Sequence, residues 1–161
     1  MYLAMIGRLE QAGFTQYEIS NFALPGFFSR HNVKYWTGDP YFAFGPSAHG
    51  FTGRVRYAWA DDAAAYIRGE RSYKEFAALT ARDRAEEGLM LPLRMTRGLD
   101  LAAYAAKNDL DARPFAKILD KYVPSGLVRR AGLVYALTPR GMFVSDYILA
   151  ELFGAIEEWN A

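Results

Sequence analysis

The sequence predicts an α/β segment over residues 1–70, followed by an α+β domain over residues 71–161 that is helical and winged-helix-like. Three observations carry this. Residues 2–22 read as helix, glycine and short strand, the cadence of an α/β unit. Phe115, Ile118, Leu119 and Tyr122 fall at i, i+3, i+4 and i+7 and make one apolar helical face. Two short apolar runs flank Ala131-Gly132 between helical stretches, giving helices, a two-stranded wing and a closing helix. The composition changes between about Gly69 and Arg82, and the boundary is expected there.

In chain order, residues 2–12 read as a helix with Leu3, Ile6 and Leu9 on one stripe and Gly13 as its stop. Tyr17 to Phe22 reads as a strand, Tyr17 and Ile19 alternating with Glu18 and Ser20. Pro25-Gly26 marks a loop from Leu24 to Ser29. Tyr41 to Phe44 reads as a short aromatic strand ending at Gly45-Pro46, and Val55 to Trp59 as another after a turn at Gly53. Asp61 or Asp62 caps a helix reaching about Arg68. Thr80 to Asp83 resembles a capping box with Asp in place of Glu or Gln. The helix it opens carries Ala85 and Leu89, and Pro92 ends or kinks it. Asp100 caps a helix through Lys107, and Pro114 takes the first position of the next. Thr138-Pro139 opens the last helix, which carries Val144, Tyr147, Ile148, Leu152 and Ile156.

Composition narrows the function classes. With 161 residues, 52% of them hydrophobic, the chain can build a core and is not of the disordered class. A net charge of +1 argues against a strong nucleic-acid or membrane-surface binder. The absence of cysteine excludes disulfides, thiolate zinc sites and a cysteine-ligated cluster within this chain. No apolar run approaches the roughly 20 residues of a membrane helix, so no stable membrane insertion is expected. Met1 to Ile6 is apolar but lacks a basic lead and soon meets Arg8 and Glu10, so it does not read as a signal peptide. A cytoplasmic protein is expected.

Chemistry has few places to reside. In a helix, His31 and Tyr35 share one face at i, i+4, and Asn32 and Trp36 share the next. Imidazole and phenolate both ligate haem iron, and an indole can cover a porphyrin plane. The segment can therefore hold haem through one axial ligand, His31 as the first candidate for the metal and Tyr35 as the second; in an extended segment His31, Val33 and Tyr35 would share a side instead. The alternative is a clamp in which Tyr35 and Trp36 pack while His31 and Asn32 bond backbone, and spacing alone favours it. Phe22-Ala23, at the end of a predicted strand, is open to a ligand-contact reading or a core reading. Gly45-Pro-Ser-Ala-His-Gly50 is small and glycine-bounded but matches no phosphate-binding fingerprint, and His49 reads as a satisfied strand-end histidine. Arg129, Arg130 and Arg140 near the wing invite a DNA reading, which Glu151, Glu157 and Glu158 oppose, so no nucleic-acid partner is expected. Asp61-Asp62 and Glu86-Glu87 read as a cap and a solvated face. With two histidines and no nucleophile elbow, no catalytic residues are assigned.

The motifs taken together resemble one family. Tyr17-Glu-Ile-Ser-Asn-Phe-Ala23, Pro25-Gly26, His31-Asn-Val-Lys-Tyr-Trp36 and Gly45-Pro-Ser-Ala-His-Gly50 follow the order and spacing of oxygen-independent coproporphyrinogen III oxidase-like proteins of the radical-SAM superfamily. His-Asn-x-x-Tyr-Trp matches the haem-chaperone, HemW-type branch at all four specified positions. Leu89 to Gly98 and Leu137 to Gly141 resemble later segments of the same family, and Ser47 stands where its pattern has a second glycine. The resemblance implies that residues 1–70 are the last segments of a partial radical-SAM-type barrel. It implies haem binding at His31, Asn32, Tyr35 and Trp36, and contact of Phe22 and Ala23 with S-adenosylmethionine. It also implies a [4Fe–4S] cluster in the full-length protein only. On this reading the chain is the back part of a longer protein of haem and porphyrin metabolism, non-catalytic by itself. Its partners would be a tetrapyrrole and a missing N-terminal barrel half, with self-association through open sheet edges. The alternative is a stand-alone winged-helix-type binding module.

Overall fold

A computed structural model describes residues 1–159, and side chains as far as Ile156. α1 (Tyr2–Gln11) stops as predicted: Gly13 takes φ 84°, its N–H reaches the Glu10 carbonyl, and that of Phe14 reaches Leu9. The inward stripe is shifted, however. Ile6 is buried, Leu3 is exposed, and Tyr2 turns in to donate its hydroxyl to the Ile19 carbonyl at 2.6 Å.

The strand expected over Tyr17 to Phe22 is instead a hairpin. β1 (Thr15–Gln16) pairs antiparallel with β2 (Phe22–Ala23), and the Tyr17 N–H bonds back to the Asn21 carbonyl. The expected alternation holds at Tyr17, which is buried, and at Ser20, which is exposed, but breaks between them, since Glu18 is fully buried and Ile19 only half-buried. The cause is tertiary. Glu18 bridges Met95, and Thr96 bonds the Gln16 and Tyr17 carbonyls, so this backbone is satisfied by a loop rather than by a neighbouring strand.

α2 (Arg30–Thr37) follows the Pro25-Gly26 turn. The strand expected at Tyr41 to Phe44 reduces to one bridge, Tyr41 to Phe51; Phe42 and Phe44 are exposed, their ring centroids 6.4 Å apart. A three-stranded antiparallel sheet follows in the order β3 (His49–Phe51), β4 (Val55–Trp59), β5 (Tyr73–Ala78). α3 (Ala63–Ile67), capped by Asp62, lies in the β4–β5 connection. β5 is absent from the sequence reading because it shows no alternation: all six of its residues are exposed.

α4 (Ala81–Leu93) opens on the Thr80–Asp83 capping box and ends one residue past Pro92. α5 (Leu101–Asn108) is capped by Asp100, and α6 (Ala112–Asp120) by Asp111. Pro114 therefore occupies the third helical position, not the first, because the Asp111 carboxylate accepts from the Arg113 N–H and starts the helix earlier. β6 (Leu99–Asp100), β8 (Val134–Leu137) and β7 (Val128–Ala131) form a second antiparallel sheet in that order, with Gly132-Leu133 as the β7–β8 turn. α7 (Ser145–Trp159) follows a 3₁₀ turn at Gly141–Val144. Ile148, Leu152 and Ile156 face inward as expected; Val144 and Tyr147 are exposed, and Leu149 is buried in their place.

The core gathers α4, α5, α6, α7 and the second sheet around Leu89, Leu93, Leu101, Leu119, Tyr135, Ile148 and Leu152. No helix among the described residues is long and apolar enough to cross a membrane.

Candidate functional site

α2 carries four of the six candidate residues. Ser29 caps it, its side chain accepting from the Asn32 N–H at 3.3 Å, and Gly38 ends it in a left-handed conformation with φ 68°. These two stops fix the helical phase that sets His31 one turn from Tyr35. The Tyr35 hydroxyl lies 2.7 Å from His31 Nε2, and the rings meet edge-on with centroids 4.9 Å apart. His31 is exposed, and Asn32, Tyr35 and Trp36 are half-buried. The clamp reading expected His31 to bond backbone; its bond here is to a side chain instead.

Tyr41 extends the cluster. Its ring packs edge-on against Tyr35 at 4.5 Å and lies 6.5 Å from His31. Arg56 then links the cluster to α4. It donates to the Tyr41 hydroxyl at 3.3 Å, stands 4.7 Å from the Phe51 ring centroid, and grips Glu87 with bonds of 3.0 and 2.8 Å. The hydrogen bond to Glu87 raises the Arg56 guanidinium above its ordinary range, so it stays charged. Trp36 faces the Arg94 guanidinium at 5.6 Å. Glu87 is thus a cross-link rather than part of a solvated face. Tyr41, Arg56 and Glu87 escaped the sequence reading because they lie far apart in the chain; the aromatic residue after Asp39-Pro40 was the one available signal.

Phe22 and Ala23 sit apart from this cluster, half-buried in the β1–β2 hairpin opposite Gln16 and Thr15. His49 is exposed at the start of β3, opposite Ala58. Two backbone features shape its loop. Ser47 takes φ 58°, a left-handed conformation that favours glycine. Gly50 faces the Tyr57 ring, which a Cβ would overlap, and so lets the Tyr57 hydroxyl accept from the Ala43 N–H at 3.2 Å. Of the basic residues near the β7–β8 hairpin, Arg130 pairs with Asp120 at 2.9 Å and Arg129 donates to the Thr96 carbonyl. The Glu157 and Glu158 side chains lie outside the described residues.

The donor set decides which groups fit. An exposed imidazole and a phenol, on a helix flanked by Tyr41 and Trp36, suit a flat iron-bearing macrocycle. A chain without cysteine supplies no ligands for a cysteine-held cluster, and the described residues contain no group of three or more His, Asp or Glu fit to hold a metal ion.

Comparison with known proteins agrees with the motifs. Residues 79–144 match the HemN C-terminal domain family. Heme chaperone HemW of Bacillus subtilis is 34% identical over 161 residues, covering 96% of this chain and 41% of that protein. Heme chaperone HemW of Mycobacterium tuberculosis is 30% identical, covering 95% of this chain and 38% of that protein. The chain thus spans about two-fifths of the length of the curated relatives it matches. Among solved structures, the radical SAM enzyme coproporphyrinogen III oxidase (HemN) of Escherichia coli superposes with a TM-score of 0.67 over 92% of this chain and 39% of that one; at 18% identity this is a likeness of fold. Along nearly its whole length the chain is thus similar to the C-terminal portion of HemW heme chaperones, and residues 79–144 match the HemN C-terminal domain family.

Proposed function

We propose that α2 is the tetrapyrrole contact of a heme-chaperone-type protein, with His31 as iron ligand, Tyr35 as its partner, Trp36 as ring cover and Asn32 beside them. The observation that carries this is the 2.7 Å pairing of His31 with Tyr35 on an exposed helical face. Bound there, haem would be cargo, and the role of these residues is to hold it. Phe22 and Ala23 supply one wall of an S-adenosylmethionine site. The remaining walls, and a [4Fe–4S] cluster, would belong to a longer protein, so the chain by itself is non-catalytic. A cytoplasmic location suits that role.

On this reading residues 1–78 are the closing segments of a radical-SAM-type barrel, and residues 80–161 are a helical, winged-helix-like domain. Two features support a division at Leu79 rather than at residue 70: β5 pairs with β4, and the capping box opens at Thr80. The free edge of β5 supports self-association, or cover by a barrel half.

Hemin titration followed at the Soret band tests the assignment. His31→Ala should abolish or strongly shift the band, Tyr35→Phe should alter it, and Trp36→Ala should weaken binding. Identical spectra and affinities for the parent and His31→Ala would return the segment to a structural clamp.

A further inference from the structure

An open cleft of about 520 Å³ separates α2 and β3 from α4, β6 and α5. It shares Trp36 with the α2 cluster, but neither His31 nor Tyr35 lines it. Its volume falls in the usual range for small-molecule sites, about 300–1,000 Å³. Trp36, Phe51, Leu91, Pro92, Leu99 and Val134 give it apolar walls. Gly88 keeps the α4 wall low, since a Cβ there would stand 3.1 Å from the Tyr104 ring. Tyr104 also lines the cleft; it is 5% exposed, and its hydroxyl has no hydrogen-bond partner among the described residues.

The charges at this cleft are unbalanced in one direction. Of its two carboxylates, Glu87 is paired with Arg56, whereas Asp100 caps the Ala103 N–H and keeps its charge. Arg84 donates to the Leu79 carbonyl. Arg97 and Lys107 are exposed at the cleft and form no ion pair among the described residues. With Arg84 also outside any ion pair among the described residues, three cations face the one unpaired carboxylate of Asp100, and apolar walls beneath that surplus complement a ligand that is flat and greasy at one end and anionic at the other.

We propose that this cleft binds a flat, apolar organic anion, its carboxylate, phosphate or sulfonate held by Arg97 and Lys107 and its ring body lying against Trp36 and Leu91. The site shares only Trp36 with the tetrapyrrole assignment to α2 and uses neither His31 nor Tyr35. Two fluorescent probes of similar shape test it: anilinonaphthalene sulfonate, which is anionic, and phenylnaphthylamine, which is neutral. The sulfonate should saturate a single site. Arg97→Ala with Lys107→Ala should weaken it by about tenfold or more while shifting the neutral dye by less than about twofold, because charge-assisted bonds are lost and apolar contact is kept. Ala103→Trp, which fills the cleft, should weaken both dyes, and His31→Ala neither. The proposal fails if the charge variant leaves sulfonate affinity unchanged, since the dye would then be held by exposed aromatics such as Phe42 and Phe44. It also fails if Ala103→Trp spares both dyes. The charge variant changes only exposed side chains, so it decides the question even if Ala103→Trp does not fold.

Discussion

In residues 80–156 the apolar side chains converge, whereas in residues 1–78 few of the large ones are fully buried. Every member of the buried cluster, from Ala85 to Ile156, belongs to the first of these regions. The second buries Ile6, Tyr17, Ala43, Phe51 and Ala58 but exposes Phe27, Phe42, Phe44, Ile67, Tyr73 and Phe76. Both regions are rich in regular structure. The difference teaches that hydrogen-bonded strands and edge-on ring pairs such as Tyr57–Trp59 can form without a core beneath them. Stability, however, follows area removed from water. The N-terminal region is anchored mainly where it touches its neighbour: Tyr2 and Ile19 pack against the buried cluster, and Arg56 grips Glu87.

The largest test of this contrast is a pair of truncations. Leu119→Ala empties a fully buried site and should cost about 3 kcal/mol in denaturant unfolding, whereas Ile6→Ala, on a half-exposed helix, should cost about 1 kcal/mol. Hydrogen exchange should show the same order, with weaker protection before residue 78. Equal costs would break the comparison.

A smaller effect tests the anchor. Arg56→Ala leaves Glu87 unpaired at a site where its side chain is 23% exposed, and should cost about 1 kcal/mol, the partial exposure holding the value down. A double-mutant cycle with Glu87→Ala should give positive coupling, and exchange should quicken in β4 and α2 more than in α6. Quickening confined to α4 would mean that the two regions are joined elsewhere.

The smallest expected effect is pH dependence, placed in the C-terminal region. The Lys121 and Tyr122 hydrogen bonds hold the Glu151 carboxylate below its ordinary range. Its stabilising share is therefore present above that range and lost as pH falls through the depressed value. Burial, then Glu151, pushes the Tyr122 phenol up to about 12. Its share is present below the ordinary phenol value of about 10 and lost as pH rises through about 12. Each share should be under about 1 kcal/mol near solvent. Glu151→Gln should flatten the acid limb of a melting-temperature profile and Tyr122→Phe the alkaline limb, with little change in residues 1–78.

Much of the C-terminal region was legible because its signals are local. Thr80, Asp83 and Asp100 cap the helices their spacing announced, as Asp62 does in the N-terminal region, and the face carrying Phe115 and Leu119 is buried. Ser29 and Gly38 bound α2, so the i, i+4 relation of His31 and Tyr35 could be stated in advance as the helical case. The strand proposed at Tyr17 to Phe22 was not legible, because a loop 80 residues away satisfies its backbone. β5 escaped notice because a strand exposed on both faces has no hydrophobic period to read.

By itself the sequence announced the caps at Asp62, Thr80 and Asp100, the β7–β8 hairpin, the resemblance to the HemW and HemN proteins and, for the helical case, the pairing of His31 with Tyr35 on one turn. Each of these depends on groups a few residues apart, or on motifs matched position by position. Tertiary structure alone decided that Glu18 is buried, that Arg56 and Glu87 join the two regions, and that Trp36 turns toward a cleft completed by α4 and α5. Those outcomes depend on which distant surfaces meet, and a contact between residues 31 positions apart leaves no periodic mark in the chain.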